Sequence, residues 1–229
     1  ANFDDLDPLA GEPDVDGVLV EAGDVIPSDA DMVLLPGSKS TISDLAFLRA
    51  QGWDIDISAH LRRGGVVMGL CGGYQMLGTR LDDPNGVEGP AGNVDGLGHL
   101  DVETVMAGDK TLTRVSARAV RPDAPVTGYE IHMGRTGGAD CGRPFLHVDG
   151  RPEGAMSADG AVIGSYLHGI FGDDTFRRAF LDDLAARRGR RGRFGAVDFE
   201  TRVDDVLDDL AAHMARNLDL DRLGAIAGL

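Results

Sequence analysis

Cysteine is scarce in this sequence. Its 229 residues hold two, Cys71 and Cys141. Two thiols cannot build a disulfide framework, so a reducing compartment, the cytoplasm, is expected. No apolar run approaches the roughly 18 residues that span a bilayer, and no signal peptide is visible, so no membrane partner is expected. Lysine is nearly absent, at Lys39 and Lys110 alone, and the other cations are arginine. Cations are outnumbered 38 to 22, which leaves a net charge of −16. Such a surface repels nucleic acid and anionic membranes. The phosphate loop Gly-x-x-x-x-Gly-Lys-Ser/Thr is missing, because "GSKST" at 37–41 has the wrong glycine spacing. Internal repeats and heptads are missing too, and no metal site is expected.

What is present is ordinary for a globular protein: 42% hydrophobic and 26% charged residues. The length suits one large domain or two small ones. The sequence opens at Ala1 without a methionine, so a piece of a longer chain is expected. Residues 1–14 are acidic and rich in Pro and Gly. They predict a linker or lead-in segment ahead of one domain over 15–229.

Short apolar runs at 16–22, 30–37 and 66–70 end in turn residues and predict buried strands. Residues 40–52 and 54–63 place apolar side chains at helical spacing and end in glycine, so two helices are expected. A third helix starts at 74–81. Strands alternating with helices predict an α/β fold with a mostly parallel, helix-flanked sheet. The middle differs. Residues 99–107, 111–120 and 126–134 alternate like antiparallel strands and predict an antiparallel extension. One more strand is expected over 160–171, followed by helices at about 174–188 and 199–216. The arginine cluster at 187–193 reads as a solvated helix end, with a binding patch as the alternative.

"GLCGGYQMLG" (69–78) places one of the two cysteines where a buried strand stops. A strand, Gly-x-Cys-Gly-Gly and then a helix is the layout of a nucleophile elbow. Such a turn strains the cysteine backbone, so Gly69, Gly72 and Gly73 must lack side chains that would clash. The Cys71 sulfur then sits at a helix N-terminus, where the thiolate is favoured. The N–H of Gly72 is placed for an oxyanion. Cys141, with no strand before it, reads as a loop residue with no role. Of six histidines, His168 in "SYLHG" is the best candidate base, at a strand end where functional groups of parallel sheets gather.

Gly69-Leu70-Cys71-Gly72-Gly73-Tyr74-Gln75 resembles the G-x-C-x-G-x-Q signature of class I glutamine amidotransferases. "NFDDLDPL", "LPGSKSTISDLAFLR", "GLCGGYQMLG", "GYEIHMGRT" and "GSYLHGIF", in that order, are similar to the glutamine amidotransferase domain of cobyric acid synthases. The likeness runs to the closing "LDLDRLGAI". The resemblance implies a class I amidotransferase-like fold, with Cys71 as nucleophile and His168 as its base. It implies oxyanion N–H groups at Gly37 and Gly72, and Gln75 beside bound glutamine. The general pattern puts a glutamate two places after the histidine, where this chain has Ile170. The group that orients His168 is therefore open: Glu130 is one candidate and a backbone carbonyl another. "GYEIHMG" reads either as a plain buried strand with Tyr129 and Ile131 facing the core, or as one whose alternate residues Glu130 and His132 face the site. The implied reaction is glutamine hydrolysis, with ammonia passed to an N-terminal synthetase domain of the same polypeptide. That domain, which uses ATP and Mg2+ on a corrinoid, is expected to lie outside this chain. No cofactor is expected within it. The alternatives are an amidotransferase subunit of a peptidoglycan-modifying ligase and a non-catalytic binding domain.

Overall fold

The computed structural model describes residues 5–108, 111–192, 194 and 198–228. Asn2, Phe3 and Asp4 of the first motif, and Arg193 of the arginine cluster, lie outside them. In chain order the elements are α1 (Asp7–Ala10), β1 (Met32–Leu35), α2 (Thr41–Ala50), α3 (Trp53–Arg62), β2 (Val66–Leu70) and α4 (Gly72–Leu77). Strands β3 (Arg80–Asp83), β4 (Gly92–Asp95), β5 (Glu103–Val105), β6 (Thr111–Ala119), β7 (Ala124–His132) and β8 (Arg135–Gly137) follow. Next come β9 (Leu146–Val148), β10 (Arg151–Glu153), β11 (Ala155–Met156), β12 (Val162–Ser165) and β13 (Leu167–His168). Helices α5 (Asp174–Arg187), α6 (Phe199–Asn217) and α7 (Leu220–Ala227) close the order.

The central sheet runs β1-β2-β12-β11, with β1, β2 and β12 parallel and β11 antiparallel at its edge. Every residue of β2 is buried. Its side chains alternate between two cores, as a pleated strand requires. Val66, Met68 and Leu70 join Phe145, Phe171 and Phe176, while Val67 joins Leu45, Ile57 and Leu77. The expected antiparallel extension is a five-stranded sheet, β10-β9-β6-β7-β13, beside a smaller one, β4-β3-β5-β8. The parallel strands end together: Leu35 pairs with Gly69, and Ser165 with Leu70.

Four expectations need correction. Residues 16–22 form no strand; Val18 and Leu19 are exposed, so this apolar run packs against nothing that would hold it extended. The helix expected over 74–81 covers Gly72–Leu77 instead, because residues 80–83 join β5 and β4 as a strand. The strand expected over 160–171 is two. β12 ends at Ser165, and β13 leaves for the other sheet to pair with Tyr129 and Glu130. At the break, Glu153 accepts from Tyr166 N at 2.7 Å and Ser165 Oγ at 2.8 Å, and these bonds replace the ladder.

The fourth correction concerns the lead-in segment. Residues 5–12 are packed into the domain rather than free. Leu9 is buried in the core, and Asp5 and Glu12 are buried carboxylates. Glu12 pairs at 2.7 Å with Arg177, itself fully buried on α5. A buried ion pair must be complete, because either charge alone would be costly there. The arginine cluster is a helix end with partners. Arg187 pairs with Asp183, and Arg188 and Arg190 pair with Asp31. No helix among the described residues is long and apolar enough to cross a membrane.

Candidate active site

The site lies beyond the carboxyl ends of β1, β2 and β12. Cys71 follows β2 with φ 52° and ψ −111°, a left-handed conformation that non-glycine residues rarely adopt. The strain sits in the cysteine itself. Its glycine neighbours supply room. A Cβ on Gly69 would meet Gly73 O at 2.5 Å, and one on Gly73 would meet Leu35 O at 2.1 Å. A Cβ on Gly72 would meet Ser38 N at 2.9 Å. The elbow thus draws α4 down onto β2 and β1, and presents Cys71, partly exposed, at the first turn of α4. Its Sγ lies 3.5 Å from Ile131 O, so the end of β7 walls one side.

His168 ends β13 and is buried. Its Nδ1 is 2.7 Å from Asp5 Oδ2, and Asp5 Oδ1 accepts from Gly169 N at 2.7 Å. The doubly engaged carboxylate fixes the ring with Nδ1–H toward Asp5. Nε2 then faces the side of Gly37 and Cys71. Burial pulls the imidazolium down from its ordinary 6.5. The hydrogen bond with Asp5, together with the interactions of Asp5 and Cys71 with the ring, outweighs burial and raises His168 to about 9. Tyr129 stacks on the ring with centroids 5.5 Å apart.

The orienting group is therefore Asp5, which lies in the segment expected to be a linker. The signal was available in the sequence. "DDLDPL" sets carboxylates between leucines and a proline, a pattern of packing rather than of solvation, and it belongs to a motif that carried the resemblance. Glu130, the expected candidate, does not touch His168. It lies between His132 Nε2 at 3.2 Å and Arg151 Nη2 at 2.9 Å. His132 stacks on Tyr166 with centroids 3.9 Å apart, so this pair forms the flank of the site and not its centre. Ile170, in the glutamate position of the general pattern, is buried in the core.

Gly37 follows β1 and lies beside both His168 and Cys71. A Cβ there would sit 2.9 Å from His168 Cε1 and 3.6 Å from Cys71 Cβ, so glycine is what lets the β1 loop approach both. Gln75 is buried, and its amide is taken up internally. Nε2 donates to Met133 O at 2.9 Å and Tyr166 OH at 3.2 Å, and Oε1 accepts from Thr41 Oγ1 at 3.2 Å. It braces the walls rather than offering free donors to a ligand. Burial pushes Tyr166 up to about 12, so its hydroxyl stays neutral in this network. Cys141 lies against Tyr74 of α4, at 4.0 Å from its hydroxyl. Among the described residues, no group of three or more His, Cys, Asp or Glu is placed to hold a metal ion.

Residues 1–176, which include Asp5, Cys71 and His168, match the sequence model of the CobB/CobQ-like glutamine amidotransferase domain. The chain belongs to that family. A cobyric acid synthase from Ruegeria sp. (strain TM1040) is 59% identical over 227 residues, 99% of this chain and 46% of the relative. Another, from Jannaschia sp. (strain CCS1), is 58% identical over 223 residues, 97% of this chain and 45% of the relative. The chain thus spans about half the length of the curated relatives it matches. A crystal structure of a glutamine amidotransferase aligns with TM-score 0.50 at 15% identity, covering 68% of this chain and 79% of that one. That likeness shows the fold. In this CobB/CobQ-like domain, the histidine's carboxylate comes from the far end of the chain, not from two residues downstream.

Proposed function

We propose that this domain hydrolyses glutamine through a Cys71 thioester and hands the ammonia to an amide-forming partner. The observation that carries the reading is the alignment of Asp5, His168 and Cys71 over an elbow flanked by Gly37 and Gly72. At neutral pH His168 holds its proton, which suits a thiolate–imidazolium pair with Cys71. The sulfur attacks the side-chain amide carbon of glutamine. The N–H groups of Gly37 and Gly72 receive the developing oxyanion, a contribution of about 3–4 kcal/mol per donor. His168 Nε2 gives its proton to the departing nitrogen, and ammonia leaves as the thioester forms. His168 then takes a proton from water, the hydroxide adds to the thioester, and glutamate departs as sulfur regains the elbow. Asp5 does not exchange this proton. It holds Nδ1–H and stabilises the imidazolium each time it forms. Gln75, Tyr166 and His132 keep the β7 wall in register with Cys71.

The destination of the ammonia is inferred from the relatives, which are named cobyric acid synthase and are about twice as long. The reaction assigned to the whole polypeptide is ATP-dependent amidation of adenosylcobyrinic acid a,c-diamide to adenosylcobyric acid. ATP and Mg2+ belong to an N-terminal synthetase half, since this chain carries no phosphate loop. The corrinoid reaches the domain only through that half.

The test uses the full-length polypeptide with Cys71→Ser. A hydroxyl is a far weaker nucleophile than a thiolate at neutral pH. Amidation driven by glutamine should vanish, while amidation driven by concentrated ammonium salt should survive. Loss of both activities would tie Cys71 to the synthetase chemistry or to the fold. Wild-type protein that hydrolyses no glutamine would favour a non-catalytic binding domain.

A further inference from the structure

Helices α6 and α7 carry an apolar face that the described residues of this chain leave uncovered. On α6, Val203, Leu207, Leu210 and Met214 recur at four-three-four spacing, the stripe of a helix that packs on something. These four are 40–54% exposed. On α7, Leu220, Leu223 and Ile226 are exposed as well. Asp204, Asp205, Asp208 and Asp209 lie between the stripe residues in the sequence and give the rest of α6 an acidic side. A helix of this kind gains most of its stability from burying its stripe, and a continuous exposed patch marks an interface. α6 meets the domain body at its first turn, where Phe199 N donates to Asp174 Oδ1 at 3.4 Å.

Two observations choose the occupant. The family's sequence match stops at residue 176, before α6, whereas the cobyric acid synthase of Ruegeria sp. matches over 227 residues and is about twice as long. A relative that matches through both helices therefore also carries about as much chain again outside this domain. The second observation is charge. The chain carries −16, and α6 sets four aspartates beside its stripe. A second copy would bring the same charges against them.

We propose that the apolar faces of α6 and α7 are the docking surface for the other half of a polypeptide about twice this length. The inference rests on the reading that the domain works within such a polypeptide. The seat is an apolar groove that takes side chains at i, i+4, i+7 and i+11, with basic residues on its rim.

The experiment uses the full-length polypeptide with a photoreactive phenylalanine analogue at Leu210. Cross-links to the other half within one molecule are expected, unchanged on dilution. Links confined to this domain would overturn the proposal, as would links between two copies that fade on dilution. Amide exchange supplies a second readout. Residues 203–214 should exchange at least about tenfold faster in Leu207→Ala/Leu210→Ala, while β2 exchanges as before. Alanine favours helix, so faster exchange there reports lost docking and not lost helix propensity. Unchanged exchange in that variant would also overturn the proposal. Neither readout depends on glutamine hydrolysis, so an inactive glutaminase would sink the functional reading without touching this one.

Discussion

Asp5 and His168 stand 163 residues apart in the sequence and 2.7 Å apart in the fold. The same carboxylate also holds Gly169 N, so it fixes the ring and the turn beneath it. Together with Glu12 and Arg177, it makes residues 5–12 part of the site's frame.

Asp5→Asn should lower glutaminase kcat by about a hundredfold, the scale of a well-placed acid–base group. It should also shift the pH profile. His168 keeps its proton to about 9, partly through Asp5. Removing that charge lowers the pKa, so the alkaline fall in activity begins at lower pH. The sign for stability follows from the raised pKa. The contribution is complete below 6.5 and is lost as pH rises through about 9. Asp5→Asn should therefore destabilise most at acid to neutral pH and least above about 9. Glutaminase profiles and melting temperatures across pH check both claims. If Glu130→Gln moved the alkaline limb and Asp5→Asn did not, the orienting group would be misassigned.

Cys71→Gly should abolish glutaminase activity and raise the melting temperature. The φ of 52° strains a cysteine but suits glycine. Relief of strain, less the entropy of glycine, is worth about 1 kcal/mol. Thermal unfolding decides, and a variant less stable than wild type would refute stored strain at the elbow. In the wild type, a glutamine-like diazo-ketone should label Cys71 and spare Cys141; equal labelling by mass spectrometry would count against the site.

Gly37→Ala and Gly73→Ala should separate chemistry from folding. A Cβ at 37 meets the edge of the His168 ring at 2.9 Å, and the ring can yield. Activity should fall at least about tenfold with little change in melting temperature. A Cβ at 73 meets the Leu35 carbonyl at 2.1 Å, and backbone in the central sheet cannot yield. That variant should lose about 3 kcal/mol or more of stability. Denaturant titrations of both proteins, beside kcat, test the contrast.

Glu153→Gln should gain stability relative to wild type as pH rises. Burial pushes Glu153 up to about 7, against the bonds from Tyr166 N and Ser165 Oγ that favour the carboxylate. With the folded pKa raised, its contribution is complete below 4.5 and lost as pH rises through about 7. A neutral amide escapes that loss, worth about 1–3 kcal/mol above neutrality. Urea unfolding at about pH 5 and about pH 8 provides the measurement. A difference between the proteins that did not grow with pH would contradict a raised Glu153.

Some of this protein was written within a few consecutive residues. The run Val66–Leu70, followed by Cys71-Gly72-Gly73, specified a buried strand, an elbow and a helix start, because strand period and glycine clearance are local properties. The helices over α2, α3, α5 and α6 were legible for the same reason: apolar spacing and end residues act within a turn or two. Tertiary structure decided the rest. Whether 160–171 stayed one strand depended on Glu153, brought to the break by a neighbouring sheet. Whether the Gln75 amide stayed free depended on Met133, Tyr166 and Thr41, which no spacing rule connects to it. Whether Asp5 was linker or site depended on a pocket built by β7 and β13 far along the chain. Local patterns set which elements form, since they are encoded over a few ångströms of backbone. Which distant carboxylate meets which imidazole is set by the packing that closes the core, and only the closed fold supplies the low-dielectric space in which that pairing counts.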